Sequence, residues 1–171
     1  MTALHAVALN CTLKPSPAES STDKMVAHVF GALSKHDVSV EPVRVVDFDV
    51  KPGVEADMGD GDQWPEIVER IVSADILLVA TPTWVGHMSS VAQRVLERLD
   101  AELSNTDDEN RPRMVGKVGI AAVVGNEDGA HHCHAACFQA LNDVGFTIPA
   151  NAGCYWVGEA MQGTDYKDLD E

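Results

Sequence analysis

Apolar and polar residues fall in blocks along this chain, and the blocks predict alternating strands and helices. Leu4 to Leu9 is a short apolar run followed by a polar stretch from Asn10 to Ser21, the pattern of a buried strand ending at a turn. From Thr22 to Ser34 the residues Met25, Val26, Val29, Phe30 and Leu33 recur at three- and four-residue spacing. That spacing predicts a helix, with Ser20, Ser21 or Thr22 to cap it. Val38 to Val46 alternates and is rich in valine, and reads as a second strand. Residues 47–62 carry Pro, Gly and many Asp and predict a long loop. Gln63 to Val72 reads as a helix with Pro65 in its first turn, where the missing amide is harmless.

The run Ala74 to Ala80 is continuously apolar and needs cover on both faces, as a central parallel strand does. Met88 to Leu103 supplies a third helix through Val91, Val95, Leu96 and Leu99, and Asn105 to Arg113 a charged loop. Lys117 to Val124 follows as a strand, and Ala130 to Val144 as a helix ended by Gly145. Phe146 to Ile148 and Cys154 to Val157 are two short strand candidates. Strands alternating with helices imply right-handed crossovers and a doubly wound, five-stranded parallel sheet, one α/β domain over residues 1–171. In such sheets ligands bind outside the carboxyl ends of the strands. The loops after the first, third and fourth strands therefore carry the functional expectation.

The end of the chain departs from that plan. Such a sheet usually finishes with a helix over one face, yet only the polar, acidic stretch Gly158 to Glu171 follows the last strand candidate. Either the natural chain is longer or a partner subunit covers the apolar face, and the first is the preferred expectation.

Each of the three loops has unusual chemistry. Thr12, Lys14, Ser20, Ser21 and Thr22 offer hydroxyls, one cation and free amides where a helix starts, a donor set suited to a phosphate. An ordinary helix cap reads the same way, and neither GxxxxGK[ST] nor GxGxxG is present. The loop Ala80 to Ser90 holds Pro82, Thr83, Trp84, Val85 and Gly86, joining a flat apolar surface to a glycine that admits close backbone approach. An isoalloxazine needs such backbone polar groups beside apolar contact, although Trp84 packed into a capped loop would also fit. Gly125, Asn126, Glu127, Asp128 and Gly129 follow the fourth strand and can reach the opposite edge of the same ring.

His131, His132, Cys133, His134 and Cys137 crowd together like metal ligands. Cys133, Cys137, Leu141 and Val144 nevertheless share one helix face, so the thiols read as core residues and no metal is expected. No side-chain triad or carboxylate pair emerges, and no residue is assigned as catalytic.

Charge narrows the partners. The 171 residues carry a formal charge of −15, which repels phosphate polymers and anionic membranes, so neither nucleic acid nor membrane is expected as a partner. No signal peptide or span of about 20 apolar residues is evident, and the four cysteines form no CxxC pair, so a cytoplasmic protein with reduced thiols is expected.

With these residues in view, the chain resembles the NAD(P)H-dependent FMN reductase family of the flavodoxin-like superfamily. The resemblance is carried by Thr12-Leu-Lys with Ser20-Ser-Thr, by Thr81-Pro-Thr-Trp-Val-Gly-His-Met-Ser-Ser and by Gly125-Asn-Glu-Asp-Gly, within residues 4 to 161. It implies FMN as cofactor, with the first loop around the phosphate and the other two around the ring. It also implies NADH or NADPH as reductant, a free flavin, quinone or other small acceptor, and a homodimer or homotetramer. Lys14 stands where the family usually has arginine, so bidentate phosphate pairing is replaced by a point charge. The cysteine cluster of the iron–sulfur members is absent. A flavodoxin-type electron carrier without NAD(P)H turnover and a non-enzymatic interaction domain of the same fold are the alternatives.

Overall fold

The computed structural model describes residues 3–170. Strands β1 (His5–Asn10), β3 (Ile76–Trp84) and β5 (Val118–Gly125) occupy the middle of the sheet and are mostly apolar and buried because helices cover both faces. β2 (Ser39–Arg44) and β6 (Gly153–Val157) form the edges, and the spatial order β2-β1-β3-β5-β6 is parallel at every step. From β1 the chain first winds to one edge and then returns to wind to the other. The reversal between β1 and β3 opens a crevice at their carboxyl ends.

The period of two along each strand divides the core between the faces. Leu78 and Ala80 meet α1 (Ser21–Ser34) through Met25 and Val26. Leu77 and Val79 face the opposite layer of α2 (Trp64–Ser73), α3 (Ser90–Leu99) and α4 (Ala130–Asp143), whose Ile67, Ile71, Val95, Leu99 and Leu141 are all buried. Cys133, Cys137, Leu141 and Val144 are buried along the face that their spacing predicts.

Several boundaries differ from the sequence expectation, each for a local reason. The second strand stops at Arg44, because Val45–Asp47 tightens into a 3-10 turn. Pro42 lies within β2 without harm, since an edge strand can lack an amide on its outer side. The strand expected over Ala74 to Ala80 runs on through Pro82 to Trp84 and folds back on β4 (His87–Met88) in an antiparallel hairpin. That hairpin takes the first residues expected for the third helix. α3 therefore begins at Ser90 and ends in a 3-10 turn at Asp100–Leu103. Phe146 to Ile148 is not a strand: Thr147 makes one parallel bridge to Val118 before Pro149 turns the chain into β6. After β6 no α-helix follows among the described residues. Instead the tail crosses α1, with a 3-10 turn at Tyr166–Asp168.

The long loop before α2 is organised by a buried ion pair. Arg98, fully buried on α3, donates to the carbonyls of Lys51, Glu55 and Ala56 and pairs with Asp62 at 2.7 Å. Asp62 in turn accepts from the amides of Lys51, Met58 and Trp64. Burial opposes ionisation of this carboxyl, yet the hydrogen bonds from Arg98 and the three amides outweigh it and hold the group well below the usual carboxylate range.

Arg98→Met removes one partner and leaves the other charge enclosed, so it should cost about 3–5 kcal/mol in urea unfolding at neutral pH. The contribution of Asp62 is complete above its unfolded value of about 3.9 and is lost as pH falls towards the lower folded value. The stability gap between wild type and Asp62→Asn should therefore close progressively in acid.

Candidate functional site

The first loop is held in place from below. At the end of β1, Asn10 Oδ1 accepts from the amide of Thr12 at 3.0 Å, and its Nδ2 donates to Asp23. Asp23 pairs with Arg44, which also donates to the carbonyl oxygens of Lys14 and Ala18 at 3.3 and 2.8 Å. Across the loop, Asp47 accepts from the hydroxyl and the amide of Ser16, bonds that hold its carboxyl below the usual range. Ser20 caps α1 by accepting from the amide of Asp23 at 3.1 Å. The earlier amides of the first turn have no carbonyl one turn back to bond, as at any helix start. They sit beside the hydroxyls of Thr12, Ser21 and Thr22 and the cation of Lys14.

The second loop is tied to the first by one serine. Ser89 Oγ donates to the carbonyl of Cys11 at 2.6 Å and accepts from the amide of Ala92 at 3.1 Å, capping α3. The Ser89 amide donates to Thr81 Oγ1 at 3.0 Å, and the Cys11 amide reaches the carbonyl of Ala80 at 2.8 Å. Both side chains are buried, so these bonds fix the end of β1 against the end of β3.

Loops two and three meet backbone to backbone. Gly129 has φ +136°, and a Cβ there would lie 2.6 Å from the Gly86 carbonyl oxygen. The hairpin turn places Val85 at φ +53°, and its amide donates to Glu127 Oε1 at 2.7 Å. A Cβ on Gly125 would sit 2.8 Å from that of Thr83. Close approach at these glycines is what lets β3 and β5 end side by side. Thr83 Oγ1 is buried there with no hydrogen-bond partner among the described residues.

A cavity of about 480 Å³ lies over the carboxyl ends of β1, β3 and β5. Thr12, Lys14, Ser20, Ser21 and Thr22 line one end of it. Pro82, Thr83 and Trp84 from the second loop and Gly125, Asn126 and Glu127 from the third line the rest. Val85, Gly86, Asp128 and Gly129 are not among its lining residues and lie where loops two and three touch. The sequence reading missed Trp156 at the end of β6 and Met161, Asp165 and Lys167 of the tail, which complete the wall. An aromatic at the carboxyl end of the last strand was a usable signal for Trp156. Nothing in the polar tail marked its residues.

The tail is anchored across the start of α1. The Lys167 amide donates to Ser21 Oγ at 3.3 Å, Lys24 Nζ to the carbonyl of Leu169, and Asn126 Nδ2 to Asp165 at 3.0 Å. Tyr166 packs on Trp156 and bonds to His28. The histidine-rich start of α4 is dispersed by contrast. His132 bonds to His87 at 3.0 Å, His131 to Tyr155 at 3.2 Å, and His134 to the Cys154 carbonyl at 3.2 Å. No three potential metal ligands converge among the described residues. Burial raises the thiols of Cys11 and Cys137, the latter to about 12, which fits core residues rather than reactive ones.

The family model described as NADPH-dependent FMN reductase matches residues 5–162. The chain is 34% identical over 173 residues to the 8-demethyl-8-aminoriboflavin-5'-phosphate synthase of Streptomyces davaonensis, covering 96% of this chain and 67% of that protein. It is 38% identical over 169 residues to a protein of Mycobacterium bovis named divalent metal cation transporter MntH, and spans only 25% of its length. Among solved structures, RosB with bound 8-demethyl-8-formylriboflavin-5'-phosphate superposes with a TM-score of 0.86 at 35% identity, over 96% of this chain and 69% of that one. The apo NADH:FMN oxidoreductase EMOB, at 18% identity and a TM-score of 0.64 over 91% of this chain and 76% of that one, shares the fold.

The glycine contact gives a direct test of how the site is built. Gly129→Ala should lower the melting temperature, with strain of about 1–3 kcal/mol from the positive φ alone and more from the clash with Gly86. Gly31→Ala, inside α1 with open space around the new Cβ, should raise stability by about 0.5–1 kcal/mol.

Proposed function

The chain belongs to the NADPH-dependent FMN reductase family, and on that premise we propose that it binds FMN and passes reducing equivalents from NADH or NADPH to a small acceptor. Free flavin and quinone are the acceptor classes that suit the reading. The observation that carries it is a cavity in which a phosphate-type donor set and an aromatic wall occur together. Its volume falls within the ~300–1,000 Å³ typical of small-molecule sites.

The residues present fit FMN. Thr12, Ser20, Ser21 and Thr22 with the first amides of α1 would hold the phosphate, and Lys14 would offset its charge. Val124, Trp84 and Trp156 would take the apolar faces of the ring, with backbone of the Pro82–Trp84 and Gly125–Glu127 segments along its polar edge. Trp84 is 55% exposed, leaving room beside it for the nicotinamide or acceptor. The chemistry that FMN supplies when bound is two-electron transfer between the nicotinamide and the acceptor. This chain's part is to orient the two partners and to donate hydrogen bonds where negative charge develops, so no side-chain acid or base is assigned. A cytoplasmic homo-oligomer in which a neighbour covers the exposed Val85 completes the proposal.

A second reading makes FMN the substrate rather than the cofactor. It is favoured by the synthase relative and by the formylated riboflavin phosphate held in RosB. The two separate on the fate of the flavin.

Purified protein with FMN should give a flavin spectrum bleached by NADH or NADPH and restored by flavin or quinone, with the FMN recovered at unchanged mass. A flavin of altered mass would favour the second reading, and no turnover with any acceptor would defeat the enzyme reading. Thr12→Ala combined with Lys14→Ala should weaken FMN binding by tenfold or more, about 1.4 kcal/mol for each factor of ten. Unchanged affinity would show that the first loop is not the phosphate site.

A further inference from the structure

Arg44, the arginine nearest the first loop, is committed to Asp23 and to the loop's carbonyls. The cavity itself is lined by two lysines, Lys14 of the first loop and Lys167 of the tail. Lys167 belongs to a 3-10 turn whose backbone is docked on Ser21, a residue of the helix turn where the phosphate is placed. Its Nζ bonds to Asp168 Oδ1 at 2.5 Å. That bond holds the Asp168 carboxyl below the usual carboxylate range. Lys167 faces Asp165 and Glu19 besides Asp168. Two cations thus line the cavity, and one of them, Lys167, is bonded to a neighbouring carboxylate.

We propose that Lys167 is a second phosphate-binding cation of this site, and that Asp168 is an internal anion which the phosphate monoester of the ligand must displace from it. The proposal rests on the reading of the cavity as an FMN site and adds to it a residue outside the three strand-end loops. The carboxylate carries one charge and the phosphate close to two, so the ligand competes favourably for Lys167. Without ligand, Asp168 offsets the Lys167 charge, in a corner where Asp165 and Glu19 already add negative charge. The tail would then report on the ligand's phosphate alone. Riboflavin, which lacks that group, should bind without disturbing the Lys167–Asp168 pair.

The test is titration of the full chain with FMN and with riboflavin, followed by quenching of flavin fluorescence, in wild type, Lys14→Ala, Lys167→Ala, Lys167→Arg and Asp168→Asn. Wild type should prefer FMN. Lys167→Ala should weaken FMN about tenfold, as loss of a charge-assisted bond does, with riboflavin unchanged. Lys167→Arg should restore most of the preference. Asp168→Asn should tighten FMN severalfold, a gain that a merely structural tail would not produce. If Lys167→Ala leaves the preference at the wild-type value while Lys14→Ala lowers it, the phosphate site stands and the proposed role of Lys167 is overturned. If Lys167→Ala weakens both flavins equally, the tail only supports the fold and the proposal fails. If wild type binds both flavins alike, the phosphate reading of the cavity falls with it.

Discussion

The site depends on one buried hydroxyl. Ser89 Oγ bridges the carbonyl of Cys11 and the amide of Ala92, while the Ser89 amide is taken by Thr81. At a crevice where strand order reverses, adjacent loops run in opposite directions, and the sheet ladder joins them no further than the Cys11 amide and the Ala80 carbonyl. Beyond that last ladder bond, the Ser89 knot is what ties the loop after β1 to the turn after β3. With it, the donor end of the cavity has a fixed distance to its aromatic end. The other contacts continue the same logic outward. Arg44 and Asp47 hold the far side of the first loop, and the Gly86–Gly129 contact with the Val85–Glu127 bond brings in the third.

Charge is arranged at two scales. The chain as a whole is strongly acidic, which sets solubility and the choice of large partners. The cavity follows local rules instead, with helix amides, hydroxyls and lysine side chains gathered at one end. Asp23 and Asp47 take part by positioning the loop rather than by opposing an anion, since each is engaged by bonds to Arg44, Asn10 or Ser16.

Much of the fold was legible in the sequence because its signals are local. The apolar run Ile76 to Ala80 required cover on both faces, and the spacing of Cys133, Cys137, Leu141 and Val144 identified a buried helix face. Signals that depend on distant residues were not legible. Trp84 continues β3 because Met88 pairs with Thr83 across a two-residue turn, and Phe146 to Ile148 is limited to one bridge to Val118 before Pro149 turns the chain towards β6, which pairs further along β5. The same division runs through the site. Thr12, Lys14, Ser20, Ser21 and Thr22 follow a strand directly and could be read as a donor set. Lys167 reaches the cavity only because the tail crosses α1, and Gly129 lies against Gly86 because two loops converge. Neither fact is written in local spacing.

The account stands on the placement of FMN along the cavity, and a crystal structure of the chain grown with FMN examines that most directly. The phosphate should lie within hydrogen-bond distance of the Ser21 and Thr22 amides and of Lys14, with the ring between Trp84 and the Gly125–Glu127 segment. A phosphate bound away from the start of α1, or a ring lying outside the three strand ends, would contradict the account.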